Sequence, residues 1–143
     1  MALDDEEYFL GEDSSNPMTT ATQTMDLLAL NVPPEKLIPP LLQLLEPALQ
    51  GQDPLPRRAA YLSMAVIAEG CSEAICNKYL EIMLNIVKVG ITDPVPLVRN
   101  AAFFALGQFS EHLQPDITKF APDILPILFE FLQQLCNELR VSF

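Results

Sequence analysis

Residues 93–113 read DPVPLVRNAAFFALGQFSEHL, and this stretch predicts a helix that packs on one side only. Asp93 can cap the helix and Pro94 or Pro96 can begin it, because a missing N–H costs nothing in the first helical turn. At 100° per residue, one face collects six small or apolar side chains: Val98, Ala101, Ala102, Ala105, Leu106 and Phe109. The stretch therefore predicts a helix from Pro96 to Leu113 with one face in a core and the other in water.

The same pattern occurs 42 residues earlier in the chain. RRAAYL at 57–62 matches RNAAFF at 99–104, and an Asp-Pro pair precedes each of them, at 53–54 and 93–94. A second motif, a lysine followed by apolar pairs at fixed spacing, recurs at 36, 78 and 119. A period of about 40 to 47 residues is typical of HEAT and armadillo repeats, which stack because one helix pair cannot bury its own apolar faces. The sequence therefore predicts an all-α fold, an α-solenoid of HEAT-type antiparallel helix pairs.

The repeats also predict how the chain is divided. Residues 1–16 are expected to form an acidic flexible segment, 17–135 the repeat array, and 136–143 a C-terminal tail. The array would hold a partial repeat, two full repeats and half of another. Helices are predicted, with no sheet, over Met18–Leu30, Glu35–Leu49, Pro56–Glu69, Glu73–Val89, Pro96–Leu113 and Pro122–Leu135.

The charge and the chemical groups of the chain argue for a binding protein. The net charge is −11, and such a surface suits a basic partner better than nucleic acid, whose recognition needs basic residues. No apolar run is long enough for a membrane span, and no secretory signal is visible. Cys71, Cys76 and Cys136 fit no zinc or redox spacing, which predicts reduced, mostly buried thiols. No nucleophile or orienting acid marks His112 as catalytic, so we expect no enzyme activity, no metal and no cofactor.

The Asp-Pro turns contain acid–base pairs that we expect to be structural. An aspartate in the turn and an arginine early in the next helix can tie the loop together. Asp93 with Arg99 fits this role, and so does Asp53 with Arg57 or Arg58.

Two stretches resemble the importin-beta (karyopherin) family of nuclear transport receptors. They are PPEKL at 33–37 and DPVPLVRNAAFFALGQFSEHLQPDI at 93–117. VRNAAFFALGQFSE at 98–111 is the specific part, because a generic HEAT repeat shares only the aspartate, the arginine and the alanines. The resemblance covers roughly residues 12–135. Since the family has many more repeats than this chain, the chain resembles an internal fragment or a truncated form.

The resemblance implies a function and its partners. The chain would be a segment of a nuclear import receptor that binds basic cargo of histone or ribosomal-protein type. In the full-length receptor the Ran GTPase would release the cargo and Phe-Gly nucleoporins would bind weakly between helices, in the cytoplasm and the nucleus. Two alternatives stay open: a HEAT scaffold of another assembly, or a truncated product without transport activity.

In the family, the second helix of each pair lines the surface that holds cargo. On the helix at 96–113, the side opposite the apolar face carries Asn100, Gly107 and Glu111, with Phe103 on its flank. The 42-residue offset puts Arg58, Ala65, Glu69 and Tyr61 in the same places one repeat earlier. Stacked helices lie about 8–10 Å apart, so Glu69 and Glu111 are expected to form an acidic pair. The alternative is that both glutamates only solvate helix ends. Gly107 could serve either close helix packing or close approach of a partner.

Overall fold

Helices and short helical turns form nearly all of the chain that the structure describes. The computed structural model describes residues 17–142 and, within them, all side chains except those at 18 and 140–142. The six main helices in this range are α1 Pro17–Asn31, α2 Pro34–Gln50, α3 Pro54–Gly70, α4 Leu80–Ile91, α5 Pro96–His112 and α6 Ala121–Ser142. Ser72–Ala74 and the π-helical turn Ile75–Tyr79 lead into α4, and the 3₁₀ turn Asp116–Phe120 leads into α6. No strand occurs between residues 17 and 142, and the predicted all-α solenoid is confirmed.

Prolines and aspartates fix where several helices begin. α1, α2, α3 and α5 each open on a proline, whose fixed φ suits the first turn and whose missing N–H needs no acceptor there. Asp53 caps α3 by accepting a hydrogen bond from the backbone N–H of Leu55 at 3.0 Å. Before α5, the carboxylate of Asp93 accepts from the N–H of Val95 at 2.9 Å, and Pro96 starts the helix.

The helices stack in two rows. α1, α3 and α5, here called the B row, lie side by side, with the most extensive contact between α3 and α5. α2 packs on α3 and α4 packs on α5, so α2, α4 and α6 form the A row. All six residues on the predicted apolar face of α5 are buried, which confirms that prediction. The core between the rows contains Ile38, Met64, Ile67, Met83, Val98 and Phe109, all fully buried.

Glycines permit the closest contacts in the stack. A Cβ on Gly70 would come within 2.6 Å of the backbone carbon of Ala29 in α1. A Cβ on Gly90 would lie 2.4 Å from the Tyr61 ring and 2.7 Å from Ala102. Real Cβ atoms do not approach so closely, so these positions allow neighbouring helices to touch.

The last helix is longer than the sequence pattern predicted. α6 continues to Ser142, whereas the prediction ended it at Leu135 and assigned 136–143 to a tail. The physical reason is that residues 136–142 contain no proline or glycine and include leucine, glutamate and arginine, which favour helix. The predicted acidic segment 1–16 and Phe143 lie outside the described residues.

Candidate functional site

A cleft runs across all three helices of the B row. Its volume is about 190 Å³, and its lining comes from Thr22, Gln23 and Asp26 of α1, Ala65, Val66 and Glu69 of α3, and Phe104 and Gln108 of α5. Because three helices contribute in succession, the cleft follows the direction in which the repeats stack.

Charge is segregated along the helices of the B row. The four lysines, at 36, 78, 88 and 119, lie in A-row helices or in the turns that lead into them. The B-row arginines, Arg57, Arg58 and Arg99, lie within the first five residues of α3 and α5, whereas Asp26, Glu69 and Glu111 lie in the C-terminal halves of α1, α3 and α5, which contain no lysine or arginine. The B-row surface around the cleft therefore carries a negative potential, which attracts cations from a distance.

Some of the residues predicted to face a ligand are exposed on the B row, and others are not. Glu69, Asn100 and Glu111 are exposed on the B row, and Arg58 is half-buried near the start of α3. Glu69 lines the cleft together with Asp26, a residue that the sequence reasoning missed. Asp26 precedes Glu69 by 43 residues rather than 42, so a search that tolerated a one-residue shift in the repeat could have found it.

The prediction that Tyr61 faces a ligand is wrong. Its side chain is 2% exposed, and its hydroxyl donates a hydrogen bond to the carbonyl oxygen of Ile86 at 3.3 Å. Burial, and secondarily the Asp93 carboxylate, raise the pKa of Tyr61 to about 12. The matching residue of α5, Phe103, is half-buried and its ring centroid lies 4.6 Å from that of Phe131 in α6. This position of the repeat therefore points toward the A row, and both rings serve packing.

The turn residues form a link between repeats, not within them. Arg57 donates from Nε to Oδ2 of Asp93 at 3.0 Å and from Nη2 to Oδ1 at 3.2 Å. Its Nη1 also donates to the carbonyl oxygens of Gly51 and Gln52, at 3.0 and 2.8 Å. One guanidinium thus joins the first Asp-Pro turn to the second.

The predicted pairing of each aspartate with an arginine of its own turn is therefore wrong. Asp53 caps α3 instead of binding Arg57 or Arg58, and Asp93 binds Arg57 instead of Arg99. Burial alone would raise the pKa of Asp93, but the hydrogen bonds from Arg57 and from the Val95 N–H outweigh it and hold that pKa below its usual range. Arg99 affects Asp93 only through its charge.

The three cysteines lie in different environments. Cys71 is buried, Cys76 is half-buried and Cys136 is exposed. The prediction of mostly buried thiols is therefore right for Cys71 and wrong for Cys136. Burial raises the pKa of the Cys71 thiol, which makes it a poor nucleophile. Within residues 17–142, no group of three or more His, Cys, Asp or Glu side chains could hold a metal ion. In the same range, no single helix is long and apolar enough to cross a membrane. The pair formed by α3 and residues 72–91 has the necessary length and composition, but the two helices meet at a bend of 105°.

Comparison with known proteins agrees with this architecture. Residues 83–113, from α4 to the end of α5, match the HEAT repeat family. The chain is 42% identical to Importin-4 of Mus musculus over 92% of its own length and 44% identical to Importin-4 of Homo sapiens over 83%. It is 32% identical to Importin subunit beta-3 of Saccharomyces cerevisiae over 82% of its length. The chain spans only 12% of the mouse protein and 11% of each of the other two. By its repeats and by its similarity to these importins, the chain belongs to the importin-beta family.

Proposed function

We propose that this chain is a segment of a nuclear import receptor and binds a basic stretch of a protein cargo along its B row, without catalysis. The observation that carries the proposal is the segregation of charge described above. Carboxylates follow one another across the C-terminal halves of α1, α3 and α5, while the arginines of the B row lie at the opposite ends of α3 and α5. The importin names of the relatives support transport as the purpose of such binding.

The spacing of the carboxylates suits a peptide that crosses the helices. Glu69 and Glu111 occupy equivalent positions on helices that stack about 8–10 Å apart. An extended peptide advances about 6.8 Å over two residues and about 10 Å over three. Lysines or arginines at every second or third position can therefore reach successive carboxylates, because their long side chains absorb the difference. Histone and ribosomal-protein tails have this composition.

The cleft also offers groups for the backbone of such a peptide. Thr22, Gln23 and Gln108 line it beside the acids, and their hydroxyl and amide groups can both donate and accept hydrogen bonds. Binding would then combine sequence-tolerant backbone contacts with charge contacts that select basic side chains. Such contacts are individually weak, which fits a carrier that must release what it carries.

Charge reversal at the two acids of the cleft and at Glu111 tests the proposal. Binding of a fluorescent Lys/Arg-rich peptide to the whole chain would be measured for the triple variant Asp26→Lys, Glu69→Lys and Glu111→Lys. We expect affinity to fall at least about tenfold at about 0.1 M salt, since exposed ion pairs contribute up to about 1 kcal/mol each. The difference should shrink at about 1 M salt, where the screening length drops to about 3 Å.

The matched control reverses three exposed acids of the A row: Glu46→Lys, Glu81→Lys and Asp123→Lys. Both triple variants change the net charge by the same amount. Equal loss of binding in the two variants would show that only overall charge matters, and would contradict a B-row site. Circular dichroism on both would confirm that the helices are intact.

The finer part of the proposal concerns release and traffic. As the family implies, Ran-GTP would displace the cargo from the longer receptor, Phe-Gly nucleoporins would bind it weakly, and it would move between cytoplasm and nucleus. A pull-down of basic cargo on the longer protein, with and without Ran-GTP, separates this from a static HEAT scaffold. Release by Ran-GTP supports the receptor, and retention of the cargo supports the scaffold.

A further inference from the structure

The cleft across α1, α3 and α5 has an apolar part that the charge contacts proposed above do not use. Ala65, Val66 and Phe104 belong to its lining, and most of the surface that lines it is apolar. Val66 and Phe104 are half-buried, so each leaves apolar surface open there. Ligand pockets in proteins are lined mainly by apolar and aromatic side chains, with a few polar groups that set orientation. The cleft therefore suits a ligand that brings apolar groups as well as charge.

Phe104 contributes the largest apolar side chain of this lining. It lies one helical turn before Gln108, on the side of α5 that faces the cleft, whereas the adjacent Phe103 packs against Phe131 of α6. The side chain 42 residues earlier, Leu62, is only 7% exposed. The open aromatic surface therefore distinguishes this cleft from the covered position one repeat earlier.

The two carboxylates of the cleft come from the other two helices. Asp26 belongs to α1 and Glu69 to α3, while Phe104 belongs to α5. Neighbouring helices lie about 8–10 Å apart, a distance that an extended peptide covers in about three residues. A basic side chain at the carboxylates and an apolar side chain at Phe104 can therefore belong to one short segment of a ligand.

We propose that Val66 and Phe104 form an apolar subsite of the cleft, which selects cargo segments with an aliphatic side chain within about three positions of a lysine or arginine. The inference rests on the cargo binding proposed above and adds a sequence preference to it. Burial of an aliphatic side chain removes apolar surface from water, and salt does not screen that gain. Contacts with Asp26 and Glu69 weaken as salt rises. Binding at the cleft therefore has a salt-resistant part that a segment with charge alone lacks.

Two fluorescent peptides of equal length and charge test the preference on the whole chain. Both carry lysine at every third position; the residues between the lysines are valine and serine in one peptide and serine alone in the other. The valine peptide should bind at least about threefold more tightly at about 0.1 M salt, since partial burial of one aliphatic side chain is enough for such a factor. At about 1 M salt both affinities should fall while their ratio persists.

The double variant Val66→Thr with Phe104→Leu should bring that ratio below about twofold and leave the affinity for the serine peptide unchanged. Neither substitution alters charge, and leucine already occupies the equivalent position at Leu62. Val66→Thr alone, which leaves the aromatic ring in place, should give an intermediate ratio. The matched control makes the same exchanges outside the cleft, Val89→Thr with Phe129→Leu, at side chains that are 70% and 63% exposed. It should leave the ratio unchanged.

The outcomes separate this inference from the proposal on which it rests. Equal affinities of the two peptides for the wild-type chain, a valine advantage that disappears at high salt, or equal effects of the two double variants would each overturn the subsite and leave basic cargo binding in place. Binding of neither peptide would contradict the cargo proposal and the subsite together.

Discussion

At the scale of single residues, Gly90 and Gly107 differ in how closely other atoms surround them. Gly90 lies under the Tyr61 ring and beside Ala102, where a Cβ would be 2.4 Å from the ring. Gly107 is exposed in the middle of α5, and a Cβ there would meet nothing within 4 Å. Close helix packing therefore does not explain Gly107. Close approach of a partner to this exposed side of the B row stays our proposal for Gly107.

Alanine substitutions at the two glycines should have opposite effects on stability. Gly107→Ala is expected to raise the free energy of unfolding by about 0.5–1 kcal/mol, since alanine is the better helix former and nothing obstructs its methyl group. Gly90→Ala is expected to lower it by about 1–3 kcal/mol, because the methyl group overpacks the Tyr61 contact. Urea denaturation of both variants measures the difference. A destabilised Gly107→Ala chain would show that its surroundings are tighter than described.

At the scale of helices and turns, the Arg57–Asp93 pair links successive repeats. Both side chains are about nine-tenths buried, and the guanidinium also holds two carbonyl oxygens of the first turn. The pair therefore sets the spacing of α3 relative to the loop before α5. A lysine at 57 could not make the same set of bonds, because it lacks the planar fork of arginine.

Removing the Asp93 carboxylate should change how stability depends on pH. The pKa of Asp93 is lower in the folded chain than in the unfolded one, so its stabilisation is complete above about pH 4 and is lost as the pH falls through the folded pKa. Asp93→Asn should cost about 1.5–3 kcal/mol at pH 7 and should lose less stability than wild type on acidification. Thermal unfolding across the acid range measures both effects.

Asp53→Asn provides the control for that experiment. Asp53 holds the equivalent place one repeat earlier but is exposed, and asparagine caps helices about as well as aspartate. Its stability at neutral pH should change by less than about 0.5 kcal/mol. If the Asp93→Asn chain retained the acid dependence of the wild type, the carboxylate would not be the group responsible.

These elements show what sequence could and could not predict. The ends of α1, α2, α3 and α5 follow from local features, such as an opening proline or the end of an apolar stripe, and the predictions fall within two residues of the structure. The ion pair between Arg57 and Asp93 depends instead on how two turns are placed across a repeat boundary. No local sequence pattern predicts that these turns come close, because the two residues are 36 positions apart. Tyr61 was misplaced for a similar reason: its direction relative to the A row is set by the stacking. The π-helical turn before α4 had no recognisable signal.

At the scale of the whole molecule, the stack is covered unevenly. In the middle, α3 and α5 have neighbours on more than one side, and Met64, Ile67, Val98 and Phe109 are fully buried. In α1, by contrast, Leu27, Leu28 and Leu30 are 45–61% exposed, and in α6 Leu125, Phe129, Leu132, Leu135 and Leu139 are 41–63% exposed. Repeat proteins gain stability from each helix pair and from the interfaces between neighbours. Helices with fewer covered faces should therefore open at lower cost.

Amide hydrogen exchange should reveal this gradient. We expect the slowest exchange in α3 and α5, and faster exchange in α1 and α6, because local opening takes less free energy where fewer apolar contacts are lost. Peptide-level mass spectrometry resolves the individual helices. Uniform protection from α1 to α6 would mean that the chain unfolds as a single unit, and equal protection of α6 and α5 would contradict the unequal burial.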